Sequence, residues 1–318
     1  MNVSVAMAAY NGAAYLAEQL ESIARQDVPP DELVLVDDGS RDATIEIARD
    51  FAARAPFPVR IEVNPANLGT RGNFARAISL CRGRWIFLAD QDDRWREDKI
   101  RRTLAALGSR PGMALSNAAL VDEHGEPLGR TLWDAVGFSR GEQREASKGL
   151  WPVLLRKNVV TGATLAFHSD YRALVLPIPD DWMHDAWIGL LIACVAPATA
   201  IDEPLIAYRQ HPRQQIGARS VGALERWRSG EQRAAEDYHR VARQFLAARQ
   251  RLAGSPCEDG ILAALEEKAA HAQVRYRIHA GDRPRLPAVF TELVRGRYRR
   301  YSLGWRSLAR DVLGRNDQ

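Results

Sequence analysis

The chain has 318 residues, of which 46% are hydrophobic and 26% charged, which is close to the average of a folded soluble protein and excludes a disordered chain, a collagen and a fibre. Its three cysteines, Cys81, Cys194 and Cys257, are scattered, a pattern that disfavours a disulfide framework or structural zinc and is typical of a reducing compartment. The formal net charge of +4 is uneven, since residues 221–318 carry +7 and residues 1–220 carry −3.

The first 120 residues alternate short apolar runs with amphipathic helical patterns. A strand is predicted at 2–8, followed by a helix that starts near Leu16 and stops before Pro29 and Pro30. Further strands are predicted at 33–36, 59–63, 85–89 and 113–121, and helices at 43–54, 73–81 and 97–107. Strands separated by helical crossovers predict a doubly wound α/β fold with a mostly parallel sheet.

The second half of the chain changes character near residue 220. Strands at 163–168 and 205–209 and a helix at 185–194 precede that point, and long helical patterns follow it. We therefore predict a catalytic domain over 1–220 and a C-terminal α-helical region over 221–318. The longest apolar stretch has 15 residues, fewer than the roughly 20 that a membrane span needs. With no signal-peptide pattern at the start, a cytoplasmic location is expected.

Polar clusters follow three of the predicted parallel strands. They are Ala9-Tyr10-Asn11-Gly12, Asp37-Asp38-Gly39-Ser40 and Asp90-Gln91-Asp92-Asp93. In parallel sheets ligands bind beyond the carboxyl ends of the strands, so these clusters should share one edge. The glycine signatures of dinucleotide sites and P-loops and the nucleophile elbow are absent from the sequence, which disfavours those enzyme classes. Carboxylates at a sheet edge suit ribose hydroxyls and hard cations.

Asp90 and Asp92 lie one residue apart at the end of a strand, so their side chains should point the same way. Such a pair can hold Mg²⁺ or Mn²⁺ and leave coordination sites for diphosphate oxygens. The alternative is that Asp92 or Asp93 caps the following helix. Asp38 offers a similar choice, because it could accept hydrogen bonds from a base or ribose, or could simply form a turn.

Four ordered segments resemble the family 2 glycosyltransferases, which have the GT-A fold. They are MAAYNGAAYLAEQLESI, LVLVDDGSRDAT, NPANLGTRGNFARAI and GRWIFLADQDDRW. TGATLAFHSD, DWMHDAWIGLLIA, YRQHPRQQIG and GRYRRYSLGWRSLARDVL resemble the rhamnosyltransferase branch of that family. The resemblance implies inverting transfer from a nucleotide-diphospho-sugar, with dTDP-L-rhamnose as the expected donor. It also implies a glycan or lipid-linked acceptor of bacterial cell-surface polysaccharide synthesis, such as O-antigen. The Gln-x-x-Arg-Trp motif of processive synthases is absent.

The resemblance also implies roles for individual residues. Asp90 and Asp92 match the Asp-x-Asp metal motif, and Asp185 matches the catalytic base. The implied donor-binding residues, beside Asp90, are Ala8, Tyr10, Asp38, Asn67, Gly69 and Arg71. Ala8 stands where members of the family often have threonine.

Three histidine and aspartate positions carry alternatives. Inversion needs one carboxylate within hydrogen-bond reach of the acceptor hydroxyl, and Asp185 is our candidate, although it could instead cap the apolar helix that follows. His211 either completes the metal shell or lies on a surface turn. His184 is expected to be structural or to support Asp185.

The C-terminal tail mixes arginine with aromatic residues, as in the run from Tyr298 to Arg306. It could pack on the catalytic domain, lie on anionic lipid as a peripheral membrane contact, or bind nucleic acid, which the acidic body disfavours. Two other functions remain alternatives: a nucleotidyltransferase, for which the phosphate loop is missing, and a non-catalytic nucleotide-sugar-binding protein, which would not need Asp185.

Overall fold

The computed structural model describes residues 2–212, 231–282 and 284–313. The domain boundary predicted near residue 220 lies outside these residues. Contacts divide the chain into two compact units. Among the described residues, the first unit contains those up to Gly149 together with residues 159–212. The second unit contains Leu150–Asn158 together with the C-terminal helices. Among the described residues, no helix has the length and apolar character needed to cross a bilayer.

Nine strands form one sheet in the described residues. They are β1 (Val3–Ala9), β2 (Glu32–Asp37), β3 (Val59–Val63), β4 (Trp85–Asp90), β5 (Arg94–Trp95), β6 (Met113–Val121), β7 (Pro127–Thr131), β8 (Leu165–His168) and β9 (Ala198–Arg209). The order is β3-β2-β1-β4-β8-β6-β9-β5, and β7 pairs with β6. The predicted parallel arrangement holds for β1 to β4. The later half is mixed, because β8 runs antiparallel to both β4 and β6.

The predicted helices of the first unit are all present, and three short helices between residues 132 and 175 were not predicted. The helices of this unit are α1 (Leu16–Ala24), α2 (Thr44–Ala52), α3 (Gly69–Leu80), α4 (Lys99–Leu107), α5 (Leu132–Val136), α6 (Arg140–Ala146), α8 (Arg172–Val175) and α9 (His184–Val195). Apolar side chains of β1, β2 and β4 pack with those of α1 in one buried core. Because these strands are buried, they appear in the sequence as continuous apolar runs.

The second unit is helical. It contains α7 (Trp151–Leu154), α10 (Glu231–Leu252), α11 (Ile261–His279), α12 (Arg285–Val294), α13 (Arg297–Tyr301) and α14 (Trp305–Leu313). The predicted C-terminal helical region is therefore confirmed. A small apolar cluster of Ile278, Ala288, Val289 and Tyr298 joins three of these helices. Other buried apolar residues lie on α10 and α11, among them Phe245, Leu252 and Leu265, and buried charged pairs, described below, also occupy the interior.

Candidate functional site

The three polar strand ends lie at one edge of the sheet, as predicted. In the β1–β4 pairing Ala8 lies opposite Asp90, and in the β1–β2 pairing Ala9 lies opposite Asp37. Hydrogen bonds then join the loops beyond the strands. The backbone N–H of Tyr10 donates to Gln91 Oε1 at 2.8 Å, and Gln91 Nε2 returns a bond to the Tyr10 carbonyl at 3.0 Å. The edge is therefore one connected surface.

Gln91 also explains the glycine in the first loop. A Cβ atom built on Gly12 would lie 2.1 Å from Gln91 Oε1, a distance that real Cβ atoms do not adopt. Any side chain at this position would push Gln91 out of its bonds with Tyr10. The sequence analysis did not single out Gln91, because its role depends on this cross-strand contact and not on its neighbours in the chain.

Acidic side chains converge where β4 ends. Burial, followed by the charges of Asp92 and then Asp185, raises the pKa of Asp90 to about 8, against the opposing charge of Lys99. Asp185 approaches from the first turn of α9, so the structure brings the predicted metal pair and the predicted base together. Burial also raises the pKa of Asp93 well above its usual range, followed by the charges of Asp92 and Asp90.

Lys99 lies beside this acidic group. Burial lowers the pKa of its ammonium to about 7, against the attraction of Asp93 and Asp90. Its Nζ atom donates to the carbonyl of Ala163 at 2.8 Å and lies 4.4 Å from the ring centre of Trp95. Lys99 was not predictable as part of the site, because in the sequence it is an ordinary first-turn residue of α4. Because of its low pKa, Lys99 is only partly protonated near neutral pH, and it therefore offsets only part of the negative charge of the carboxylates.

His211 lies against Asp92, one of the two predicted metal ligands. Its Nε2 atom is 2.8 Å from Oδ2 of Asp92, and both side chains are largely buried, at 7% and 13% exposed. The ring packs on Tyr15 with centres 4.9 Å apart. Its Nδ1 atom is buried with no hydrogen-bond partner among the described residues. The surface-turn alternative for His211 is therefore wrong.

Arg209, at the end of β9, binds residues 90–93, which we call the acidic loop. Its backbone N–H donates to Asp93 Oδ1 at 3.1 Å, and its Nε atom donates to the Asp92 carbonyl at 2.9 Å. The guanidinium also forms an ion pair with Glu18 at 2.5 Å and lies over the ring of Tyr15. It was missed by the sequence analysis, although its place at a strand end, two residues before His211, was a usable signal.

The capping alternatives for the aspartates do not hold. The strand β5 separates Asp92 and Asp93 from α4, whose N-cap is Asp98. Similarly, Met183 is the N-cap of α9. Asp185 lies inside the first turn, where its Oδ1 accepts from the Ala186 N–H at 2.6 Å.

Asp38 follows β2 and contacts a second group of predicted residues, which lies at the start of α3. Its Oδ1 accepts from Asn64 Nδ2 at 2.7 Å and from the Leu68 N–H at 2.8 Å, and its Oδ2 accepts from the Gly69 N–H at 2.8 Å. Asn67 Nδ2 donates to the Asp38 carbonyl at 3.1 Å. In this structure Asp38 therefore holds the loop that carries Asn67 and Gly69, and its predicted contact with a nucleoside stays a prediction.

Arg71 and His184 connect α3 with the region that carries Asp185. Arg71 Nη1 donates to the Ile178 carbonyl at 2.8 Å, and its Nη2 pairs with Asp180 at 2.6 Å. His184 is buried and stacks on Phe74 with ring centres 4.1 Å apart. Burial lowers the pKa of His184, so the imidazole is neutral beside Asp185. Neither of its ring nitrogens has a hydrogen-bond partner among the described residues.

In the described part of the chain, no three His, Cys, Asp or Glu side chains are already arranged to enclose a metal ion. The donor set nevertheless fits a hard divalent cation. Asp90 and Asp92 offer carboxylate oxygens, and His211 offers an imidazole in contact with Asp92. After burial, the charges of Asp92 and Asp185 raise the pKa of Asp90, and a bound cation would offset the repulsion among these carboxylates.

The chain is similar to several known proteins. Residues 4–151 match the family model described as glycosyl transferase family 2. The uncharacterized protein Rv1520 of Mycobacterium tuberculosis is 32% identical over 216 residues, which are 66% of this chain and 59% of that protein. The chain thus spans less than two thirds of the length of this relative. The dTDP-rhamnosyl transferase RfbG of Shigella flexneri is 26% identical over 223 residues, 67% of this chain and 74% of that protein.

Solved structures share the fold. The mannosyltransferase PcManGT from Pyrobaculum calidifontis, solved in complex with GDP-Man and Mn²⁺, superposes with a TM-score of 0.53 at 17% identity. The match covers 98% of this chain and 85% of that one. The predicted GT-A fold is confirmed.

Proposed function

Because residues 4–151 match the model of glycosyl transferase family 2, we propose that this chain moves a sugar from a nucleotide-diphospho-sugar to an acceptor hydroxyl with inversion at the anomeric carbon. The observation that carries the proposal is the convergence of Asp90, Asp92 and Asp185 at the edge of the sheet where β4 ends. A metal-binding pair and a separate carboxylate are what single displacement of a diphosphate requires. A nucleotidyltransferase or a non-catalytic binding protein would not need Asp185 in that place.

Asp185 is the proposed catalytic base. It lies in the first turn of α9. In the proposed reaction it accepts the proton of the acceptor hydroxyl as that oxygen attacks the anomeric carbon. The bond from that carbon to the diphosphate breaks on the opposite face, and the nucleoside diphosphate leaves with the electron pair.

Asp90, Asp92 and His211 are the proposed residues for holding Mg²⁺ or Mn²⁺. When bound, the ion would supply positive charge that neutralises the departing diphosphate. The mannosyltransferase solved with Mn²⁺ supports a divalent metal. Arg209 and Lys99 have supporting parts, because Arg209 fixes the backbone of the acidic loop and Lys99 offsets part of its charge.

We place the nucleoside over the ends of β1 and β2. Ala8 and Tyr10 would meet the base, and Asp38, Asn67, Gly69 and Arg71 would line the donor side. The exposed ring of Tyr10 supports this assignment, since 39% of that residue is accessible to a ligand. Asp38 keeps free acceptor capacity, because a carboxylate has about four lone-pair sites and accepts three bonds within the protein.

The proposed donor is dTDP-L-rhamnose, which the likeness to RfbG supports. The proposed acceptor is a glycan, growing on a lipid carrier, of a bacterial cell-surface polysaccharide such as O-antigen. An acceptor of that kind would place the enzyme in the cytoplasm, working at the inner face of the plasma membrane.

A thermal-shift panel of dTDP-, UDP- and GDP-sugars, with and without Mn²⁺, tests the donor assignment. A ligand that binds only the folded state raises the melting temperature. We expect a metal-dependent shift with dTDP-rhamnose and a smaller one with the other donors. A larger shift with UDP- or GDP-sugars would overturn the assignment of rhamnose as the donor sugar but would still support the proposed transferase activity. No shift with any donor in a folded sample would contradict the donor site.

A further inference from the structure

The last helix, α14, buries two polar side chains and exposes most of its apolar ones. Ser307 and Asp311 are buried, whereas Trp305 and Leu313 are each 73% exposed. A surface helix of a globular protein normally buries its apolar stripe. In α14 only Leu308 packs against the apolar cluster of the second unit, and Trp305, Val312 and Leu313 are exposed.

Helix α12, which contacts α14, repeats this pattern. It buries Glu292 together with Ala288 and Val289, and it exposes Leu286, Phe290 and Val294. Six apolar side chains of this region are more than half exposed: Leu286, Phe290, Val294, Leu303, Trp305 and Leu313. We call these six residues the apolar surface. Single exposed apolar residues are ordinary, but a group of this size marks an interaction site.

Buried ion pairs fix the orientation of both helices. Asp311 accepts two bonds from Arg275 at 2.7 and 2.8 Å and one from the Tyr298 hydroxyl at 2.8 Å. Glu292 lies 2.7 Å from Nδ1 of His271 and accepts from Arg297 at 3.1 Å. Rotating either helix to bury its apolar side would pull a carboxylate out of these bonds, and so the exposure is built into the fold.

The charge around the apolar surface has one sign. Residues 285–313 contain seven arginines and only two acidic residues, Glu292 and Asp311, and both acids are buried. The exposed arginines are Arg295, Arg299, Arg300, Arg306 and Arg310. Arg306 borders the apolar surface, because its guanidinium carbon lies 5.9 Å from the ring centre of Trp305.

We propose that the apolar surface and its arginines bind the face of an anionic lipid bilayer. Exposed tryptophan, phenylalanine and leucine beside arginine are the composition of helices that lie in the headgroup region. The arginines would form ion pairs with lipid phosphates, and the apolar side chains would be buried among the acyl chains. A symmetric dimer through this surface would bring the two sets of arginines together, and a nucleic acid would leave the aliphatic side chains without a partner.

This inference extends the proposed function, and its link to a lipid-carried acceptor rests on that function. Binding to lipid can nevertheless be measured without donor or acceptor. If the chain binds vesicles but shows no donor-induced thermal shift, the proposed lipid-binding surface would be supported and the proposed transferase activity would be contradicted. A chain with the opposite behaviour would contradict the surface alone.

The test is co-sedimentation of the full chain with phosphatidylcholine vesicles, with and without phosphatidylglycerol. We expect binding only when phosphatidylglycerol is present, weakening as salt rises. The variant Phe290→Ser with Trp305→Ser should lose binding, and Arg306→Glu with Arg310→Glu should lose about fivefold or more in affinity per arginine. All four side chains are exposed, so the melting temperatures should stay near that of the parent chain.

Leu246→Ser is the matched control, because Leu246 is 50% exposed on α10 and lies outside the apolar surface. Its binding should equal that of the parent chain. Equal binding by the Phe290/Trp305 variant, or equal binding to vesicles lacking phosphatidylglycerol, would overturn the proposal. A concentration-dependent dimer that this variant abolishes, without vesicle binding by the parent chain, would overturn it in favour of a second copy.

Discussion

The Nε2 atom of His211 lies 2.8 Å from Oδ2 of Asp92, although the two residues are 119 positions apart in the sequence. The contact joins the loop after β4 to the residues that follow β9. Arg209, two residues earlier, binds the backbone of the same loop. The geometry of the acidic loop therefore depends on a segment from the far end of the first unit.

Removing either member of this pair should weaken metal-dependent donor binding. Asp92→Ala should abolish the effect of Mn²⁺ on dTDP-rhamnose affinity, because it removes the proposed direct ligand. His211→Ala should weaken that affinity by about tenfold or more, as is typical for groups that support a metal site. Titration calorimetry with and without Mn²⁺ measures both. His124→Ala, at an exposed histidine, is the control, and unchanged affinity in both variants would contradict the metal assignment.

Asp185→Asn should reduce kcat by a factor of about 10² to 10⁴, the usual contribution of a general base. The donor dissociation constant should change little, because the amide keeps the shape of the side chain. Steady-state transfer assays and donor titration separate the two effects. Asp50→Asn, at an exposed carboxylate on α2, should behave as the parent enzyme. Near-normal transfer by the Asp185 variant would rule out its role as base.

Asp38→Asn should lower both stability and donor affinity. The new amide group can accept at only one atom, so at least one of the bonds from Asn64, Leu68 and Gly69 would be lost. The loss of a hydrogen bond within a protein costs about 0.5–1.5 kcal/mol. Urea denaturation measures the first effect and donor titration the second. A variant as stable as the parent chain would show that these bonds contribute little, whereas a variant that loses stability but keeps donor affinity would assign Asp38 a structural role alone.

The second unit should lose stability in acid through Asp311. Burial alone would raise its pKa, but hydrogen bonds from His279, Arg275 and Tyr298 hold the pKa at about 2, below the ordinary 3.8. The carboxylate therefore contributes its stabilisation fully above pH 3.8 and loses it as the pH falls through 2. The difference corresponds to about 2 kcal/mol.

Chemical denaturation at several pH values tests this prediction. The free energy of unfolding of the parent chain should fall more steeply between about pH 4 and pH 2 than that of Asp311→Asn. The variant should also be less stable at neutral pH, because Arg275 would remain buried without its partner. Parallel curves for the two proteins would contradict the assignment.

Much of the fold was predictable because the early strands are buried and continuous. The predicted bounds of 59–63 and 113–121 match β3 and β6 residue for residue. The pairing direction of β8 was not predictable, because it depends on how the chain returns to the sheet and not on the strand's own residues. β5 has only two residues and β7 is almost entirely exposed, so neither produced an apolar pattern. β9 was predicted only in its last residues, where Leu205 and Ile206 are buried.

The site was predictable to the extent that its residues lie at strand ends or in family motifs. Asp90, Asp92, Asp185 and His211 fall into this class. Arg209 also ends β9 but was not predicted, and Lys99 lies in a helix. Neither could be recognised as buried, because a buried cation has the same letter in the sequence as an exposed one. Their importance comes from contacts with groups that are distant along the chain, and only the assembled sheet brings those groups together.

The position of β8 between β4 and β6 has a consequence for synthesis on the ribosome. Trp85–Asp90 emerges well before Leu165–His168, and until then one edge of β4 has no strand to pair with. An open edge of this kind is a template for pairing with other chains. A nascent chain that stalls between these two strands therefore displays an aggregation-prone edge directly beside the acidic loop, and chaperone binding during translation is expected to concentrate in that interval.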